Sequence, residues 1–227
     1  MMHGGRNISI VALAVLAVWF LGGRLLGFRS WEWHQKLVLE VDTPTGAKTG
    51  GSTVAIHAGT EPKWIPISAA GGIHSEVKGE ASFVEVTPGK YLFAILNSAG
   101  RESSTFLPQK SPDAYGELDT LVKLRETRVV PRNKYPDFMT FDDVSDPTSV
   151  KRVDPNNLAA TFGPGTNLKR ITLTITDEAV TDGPVEKILR WLPNYYAVRF
   201  VDNSQKNQET KDLLVRTLTS GAFKTKG

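Results

Sequence analysis

The hydrophobic and polar positions of the chain divide it into an apolar start and a long mixed remainder. From Asn7 to Gly23 no side chain is charged, and residues 8–21 are almost wholly apolar. Arg24 interrupts this run, and the apolar residues 25–28 extend it. A helix of about 20 apolar residues spans the hydrocarbon core of a bilayer. The pattern therefore predicts a transmembrane helix at residues 7–28.

The residues after this segment indicate whether it is kept or removed. A cleavable signal carries a small-x-small motif directly after its apolar stretch, and no such motif follows here. Tryptophan suits the headgroup layer, and a long basic side chain can extend its charge to the same layer. We therefore expect a retained anchor, with a cleaved signal or a buried core helix as the alternatives. The expected membrane-interface residues are Arg24, Arg29, Trp31 and Trp33.

The orientation of the anchor follows from two opposing indications. The flank after the segment is more basic than the flank before it, which by the positive-inside rule favours a cytoplasmic domain. Long C-terminal domains, however, translocate largely regardless of charge. We favour a single-pass protein of the bacterial inner membrane whose soluble part lies in the periplasm, and a cytoplasmic soluble part is the alternative.

The next part of the chain, residues 32–98, has the pattern of paired strands. Residues 34–58 predict a hairpin, and residues 81–96 predict a second hairpin whose second strand is buried on both faces. Residues 64–67 predict a short edge strand, because their proline cannot donate to a ladder. Two hairpins and an edge strand predict a small β-sandwich-like part.

The composition changes at Ser98, and a second part follows at residues 115–227. Residues 98–113 are polar and predict an exposed connection. The expected helices after it lie from Ser111 to Arg128, at 155–162 with Asp154 as the cap, and from Gly183 to Pro193. The expected strands lie at 135–141, 168–175 and 195–201. The chain is expected to finish in a loose basic end. The predicted fold class is therefore β-rich α+β: an N-terminal transmembrane helix, a β-sandwich-like part and an α+β part.

Several segments together resemble a group of uncharacterised single-anchor bacterial proteins. These segments are Trp31-Glu-Trp-His-Gln-Lys36, Gly79-Glu-Ala81, Tyr91-Leu-Phe-Ala94 and the ranges 140–150, 153–158, 162–165 and 171–177. The resemblance covers nearly the whole chain. Since that group has no assigned activity, the resemblance implies boundaries and an anchor but no chemistry.

Charge and cysteine content exclude several classes of function. Three of the 27 basic residues lie in residues 1–30, which contain no acid, so the remaining 24 equal the 24 acidic residues. A near-neutral soluble part does not indicate a nucleic-acid partner. The chain has no cysteine, which excludes disulfides and thiol nucleophiles.

The candidate chemistry is sparse. One acidic cluster, formed by Asp142, Asp143, Asp146 and Asp154, offers the hard oxygens that calcium prefers, but without the spacing of an EF-hand. We expect instead that Asp146 and Asp154, which each precede a proline, cap helices and that Asp142 and Asp143 lie in a solvated loop, so no metal site is predicted. His34 is expected at the membrane interface or paired within the first hairpin, and no metalloprotease, serine-hydrolase or P-loop motif is present.

From these residues we predict no catalytic or cofactor-binding residue and no cofactor. The predicted function is an envelope interaction or accessory module that has the lipid bilayer and an envelope protein as its partners. The alternative is a membrane-tethered envelope hydrolase with an unrecognised active site.

Placing lysine at both Leu13 and Leu16 is expected to abolish membrane retention of the full-length chain. Each charge at the centre of a transmembrane helix costs about 2.5–3.5 kcal/mol on insertion scales. Carbonate extraction of native membranes measures retention, and the double change to isoleucine at the same positions serves as the control. N-terminal sequencing that finds the mature chain starting at residue 25 or later would contradict the anchor.

Overall fold

The computed structural model describes residues 28–60, 72–107, 113–195, 198–200 and 212–225. The predicted transmembrane helix, apart from Phe28, and the predicted edge strand at 64–67 lie outside these residues. Within the described part, none of the helices combines the length and the apolar character needed to cross a bilayer.

Strands make up most of the regular structure of the described residues. They are β1 (Ser30–Thr43), β2 (Gly46–Thr60), β3 (Ile73–Lys78), β4 (Ser82–Thr87), β5 (Lys90–Ala94), β6 (Thr127–Val129), β7 (Phe138–Phe141), β8 (Val150–Val153) and β9 (Asn167–Thr176). The α-helices are short, namely α1 (Ala99–Ser103), α2 (Ala114–Leu121), α3 (Ala159–Phe162), α4 (Pro184–Ile188) and α5 (Leu213–Thr217). Single-turn 3-10 helices lie at Leu96–Ser98, Ser104–Phe106, Arg132–Lys134, Pro147–Ser149, Leu192–Tyr195 and Ser220–Ala222.

The chain forms two compact units. Of the described residues, the first unit contains 28–31, 57–60 and 72–75, and the second unit contains the others. In the described part of the first unit, Thr60 N donates to Arg29 O at 2.9 Å and Arg29 N donates to Thr60 Oγ1 at 3.0 Å. This reciprocal pair joins residues 28–31 to residues 57–60.

The first sheet has the strand order β3-β2-β1-β9-β6, and its centre is the antiparallel pair β1–β9. The register runs from His34 opposite Thr176 to Asp42 opposite Asn167, with a bulge at Glu40. Successive side chains in a strand point to opposite faces. The bulge shifts this alternation by one residue. Leu168 before it and the odd-numbered residues from Ile171 after it therefore all lie on the buried face. The predicted strands at 37–41 and 168–175 are confirmed.

The second sheet has the order β4-β5-β7-β8 with antiparallel neighbours. The predicted hairpin at 81–96 is confirmed as β4 and β5, and Gly89 in its turn has a φ of 73°, which favours glycine. Leu92, Phe93 and Ala94 are at most 2% exposed. The strand is therefore buried on both faces, as its apolar run predicts.

Each sheet combines strands from residues 32–98 with strands from residues 115–227, since β1 pairs with β9 and β5 pairs with β7. Two antiparallel sheets with few and short helices confirm the predicted class, β-rich α+β.

The prediction of an exposed connection at 98–113 is wrong for its first half. Helix α1 and the following 3-10 helix occupy residues 99–106, and Ser103 and Phe106 are buried. Ser103 Oγ donates to the buried Gln35 Oε1 at 2.5 Å, and Gln35 Nε2 donates to Ala99 O at 2.8 Å. Polar residues are buried here because they satisfy one another, which local composition does not reveal.

Three predicted helices are shorter than expected. The helix predicted from Gly183 to Pro193 is α4, which ends at Ile188. The helix from Ser111 was expected to reach Arg128, but α2 ends at Leu121 and Thr127–Val129 form β6, because they pair with β9. The helix expected at 155–162 begins at Ala159. Asp154 Oδ1 accepts from Asn156 N at 2.9 Å, so this aspartate stabilises a turn before the helix rather than the helix itself.

The prediction of a loose basic end is wrong for residues 219–225. Phe223 is fully buried, with ring centroids 5.5 Å from Phe93 and 5.6 Å from both Phe141 and Phe200. Its carbonyl accepts from Ala81 N at 2.8 Å. The C-terminal segment therefore fills the aromatic core that lies against the second sheet.

A buried carboxylate lies beside this core. Glu80 is 0% exposed, and its carboxylate accepts from Gly183 N at 2.6 Å and from Val185 N at 3.0 Å, at the start of α4. Lys224 Nζ lies 3.2 Å from Glu80 Oε1. Burial of an isolated carboxylate is unfavourable by several kcal/mol, so these three donors are needed to keep Glu80 in place.

Lys224 also bonds two carboxylates nearer the surface, Asp182 at 2.6 Å and Glu186 at 2.9 Å. Desolvation alone lowers the pKa of Lys224, but the hydrogen bonds to Asp182, Glu186 and Glu80 together raise it. The folded protein therefore keeps this proton after the unfolded chain has lost it. The resulting stability is present below the ordinary pKa of 10.5 and declines as the pH rises above that value.

Lys224→Met is expected to lower the free energy of unfolding by about 3 kcal/mol, because it leaves a buried carboxylate without its cation. Lys187→Met, at an exposed position of α4, is the control and should change it by less than about 0.5 kcal/mol. Urea unfolding from pH 8 to 12 measures both variants. The wild type should lose stability above about pH 10.5 more steeply than Lys224→Met, and equal slopes would contradict the role of Lys224.

Candidate functional site

A polar cleft lies in the first sheet, where the start of β1 adjoins the end of β9. Its volume is about 230 Å³. The lining residues are Glu32, Trp33, His34, Val122, Arg125, Thr176 and Asp177. The register His34–Thr176 sets two walls opposite each other, and the residues that follow α2 supply the third.

The cleft contains a bidentate ion pair between Arg125 and Asp177. Arg125 Nε donates to Asp177 Oδ2 at 2.6 Å, and Arg125 Nη2 donates to Asp177 Oδ1 at 2.5 Å. Arg125 Nη1 also donates to Val122 O at 3.1 Å, which orients the guanidinium. Bidentate pairs of this kind combine charge with geometric specificity.

Arg125 stabilises the ionised form of Asp177. The hydrogen bonds from Arg125 lower the pKa of Asp177 below its usual range, against a smaller opposing effect of desolvation. The charges of Arg125 and His34 add to the lowering. The cleft thus presents a stable carboxylate beside a fixed guanidinium.

His34 contributes a ring nitrogen of defined protonation. Its Nδ1 lies 2.7 Å from Glu178 O, and since a carbonyl only accepts, Nδ1 carries the hydrogen. The expected partner within the first hairpin is wrong, because the observed partner follows β9 instead.

The chemistry of the cleft suits recognition. It offers a carboxylate, a guanidinium and an imidazole ring. The one hydroxyl of its lining, Thr176 Oγ1, already accepts from Glu178 N at 3.1 Å. Among the described residues that line it there is no serine or lysine to act as a nucleophile.

Both tryptophans of the predicted membrane interface are buried in the structure. Trp31 and Trp33 are each 6% exposed, and Trp33 Nε1 donates to Gln35 Oε1 at 3.2 Å. Arg29 lies in the unit described above, and Arg24 lies outside the described residues. The assignment of these two arginines and two tryptophans to the membrane interface stays a prediction.

The four aspartates of the acidic cluster are engaged locally. Asp142 pairs with Lys151, Asp143 Oδ1 accepts from Ser145 N at 2.8 Å, Asp146 Oδ1 accepts from Thr148 N at 2.8 Å and Asp154 makes the turn given above. The expected capping by Asp146 is confirmed, at the 3-10 helix Pro147–Ser149. In the described ranges no three His, Asp or Glu side chains are grouped so that they could hold a metal ion.

Sequence reasoning missed the cleft residues Arg125 and Asp177. Asp177 directly follows the alternating strand at 168–175, and a charged residue at a strand end is a usable signal. Its partner is 52 positions away, which no local pattern indicates. Comparisons of the chain with protein-family models, curated proteins and solved structures give no match.

Arg125→Gln is expected to raise the pKa of Asp177 toward its ordinary value, because it removes the main cause of the lowering. His34→Gln should raise this pKa by a smaller amount, since only a charge interaction is lost. Carboxyl carbon NMR titration measures the shift. Arg170→Gln, which removes the partner of Glu40, is the control, and a shift of Asp177 in that variant would argue against a local effect.

Proposed function

We propose that the chain is a membrane-anchored protein of the bacterial cell envelope that acts as an interaction or accessory module. One apolar helix at residues 7–28 holds it in the inner membrane, and the folded part lies in the periplasm. The resemblance to single-anchor bacterial proteins supports this location. It does not support any activity, since that group has no assigned activity.

The observation that carries the proposal is the short connection between the apolar segment and the cleft. Along the chain, only residues 29–31 separate the predicted anchor from Glu32, the first cleft residue. A module whose binding residues follow the anchor so closely is suited to a partner that is itself at the membrane surface.

The cleft supports recognition of a polar partner segment. Its Arg125–Asp177 pair and His34 supply donors and acceptors in a defined arrangement, and the nearby Lys36–Glu178 pair, at 2.7 Å, adds charges of both signs. Charges arranged in this way increase specificity more than affinity. The partner is therefore expected to present both a basic and an acidic group.

The proposal is tested by photo-crosslinking of the full-length protein in its native membrane. A benzophenone amino acid at Glu32 or at Val122 in the cleft is expected to give one discrete adduct, which is lost in Arg125→Gln. The same amino acid at Ser145, exposed in the acidic loop, is the matched control. Adducts of equal yield from all three positions, or none from the cleft, would contradict a binding role of the cleft.

The periplasmic location has its own measurement. Protease added to spheroplasts should digest the folded part, and inverted membrane vesicles should protect it. Protection in spheroplasts together with digestion in inverted vesicles would place the folded part in the cytoplasm.

A further inference from the structure

Four basic side chains of the second unit lie on two chain segments, residues 101–106 and 128–135, that hydrogen bonds join. These residues, here called the basic surface, are Arg101, Arg128, Arg132 and Lys134. They come from α1, β6 and the 3-10 helix Arg132–Lys134. The two arginines of the helices and the arginine of the strand are exposed, and Lys134 is half-buried.

Hydrogen bonds to backbone carbonyls hold two of these cations together. Lys134 Nζ donates to Ser104 O at 2.5 Å, and Arg101 Nη2 donates to Tyr135 O at 3.0 Å. Each side chain thus crosses to the segment that carries the other. The two cations are positioned by the fold rather than free in solvent.

Arg128 contacts the segment that carries Arg101, at Thr105 and Phe106. Its Nη1 donates to Thr105 O at 3.3 Å, and its guanidinium carbon lies 4.9 Å from the centre of the Phe106 ring. It also pairs with Glu126. The Phe106 ring supports the flat guanidinium and limits its freedom.

The charges of the basic surface are only partly balanced. In the contacts of the described residues, Arg128 pairs with a carboxylate, whereas Arg101 and Lys134 donate to carbonyls and Arg132 donates to the side-chain amide of Asn156. Neutral acceptors leave the positive charge uncompensated. Because the chain from residue 31 onward has equal numbers of acidic and basic side chains, this surface is a local separation of charge.

One residue of the basic surface is carried by a strand that neighbours the cleft end of β9. Thr127 of β6 lies opposite Thr174, and His34 of β1 lies opposite Thr176. Arg128, which lies opposite Leu173, is therefore only a few residues along β9 from the cleft.

We propose that the basic surface binds the phosphate groups of anionic phospholipids in the membrane that holds the anchor. This inference rests on the proposed function, because the anchor supplies the nearby bilayer. A tether turns a weak surface contact into an intramolecular one at high effective concentration. Basic residues near an anionic bilayer contribute individually and additively, and pre-positioned cations lose little freedom on binding.

The absence of cysteine from the chain allows a clean proximity measurement. Asn133→Cys, in the exposed middle of the basic surface, carries a fluorophore in the full-length protein reconstituted into vesicles with headgroup nitroxide lipids. Quenching is expected in vesicles of phosphatidylcholine with phosphatidylglycerol and is expected to fall at high salt. Asn194→Cys, exposed in the 3-10 helix Leu192–Tyr195, is the control label. Equal quenching in vesicles of phosphatidylcholine alone would overturn the proposal.

Charge variants then locate the contact. Arg101→Gln with Lys134→Gln should weaken the lipid contact roughly 25-fold, at about fivefold for each cation removed. The matched control is Lys187→Gln with Arg190→Gln, which removes two exposed charges elsewhere. Circular dichroism verifies folding, and Arg132→Gln, at an exposed position, gives a milder second test. Unchanged quenching in the folded variants would overturn the proposal, as would the same loss in the control.

Failure of the anchor is distinguishable from failure of the basic surface. If the protein leaves neutral vesicles on carbonate treatment, the anchor is wrong, and the same protein added to vesicles should still float with anionic ones but not with neutral ones. If the protein stays in neutral vesicles and no label is quenched in anionic ones, the anchor stands and the lipid contact is wrong.

Discussion

The carboxylate of Glu80 is the group on which the larger unit depends most. It is fully buried beside an aromatic core, and it is satisfied by the first turn of α4 and by Lys224. An interior charge is stable only when such partners are all present. The C-terminal segment therefore has to close against residues 79–81, as the bonds of Ala81 to Phe223 and of Thr225 to Gly79 show. Closure in turn brings Phe223 into the core, so that one polar contact and one hydrophobic contact support each other.

Strand β9 has the corresponding role in the first sheet. It pairs with β1 on one side and with β6 on the other, and its Arg170 bonds Glu40, which lies directly opposite it on β1, at 2.6 Å. At its end it supplies Asp177 to the cleft. The same strand thus connects the first strand of the unit, the cleft and the neighbouring basic residue Arg128. A rigid strand is a suitable support for a binding surface because its side chains keep their spacing.

The parts of the fold that could be predicted are those set by local chemistry. The turn at Thr87-Pro-Gly89 and the apolar run of β5 identify a hairpin with a buried strand, and the alternation at 168–175 identifies β9. The site could be predicted only in part. The sequence offers His34 as a candidate, but its hydrogen-bond partner, the carbonyl of Glu178, is 144 positions away along the chain. The Arg125–Asp177 pair depends on how α2 and β9 meet, and neither neighbouring sequence contains information about the other.

The sequence by itself therefore determined the apolar segment at 7–28, the β-rich class and the paired strands, since period-two alternation and turn residues act over a few positions. Only the tertiary structure decided which strands share a sheet, how far α2 and α3 extend, and where residues 99–106 and 212–225 lie. It also decided which polar groups are buried, among them Gln35, Ser103 and Glu80. The physical reason is that a polar side chain can be buried wherever distant partners satisfy it, and those partners are known only once the chain has folded.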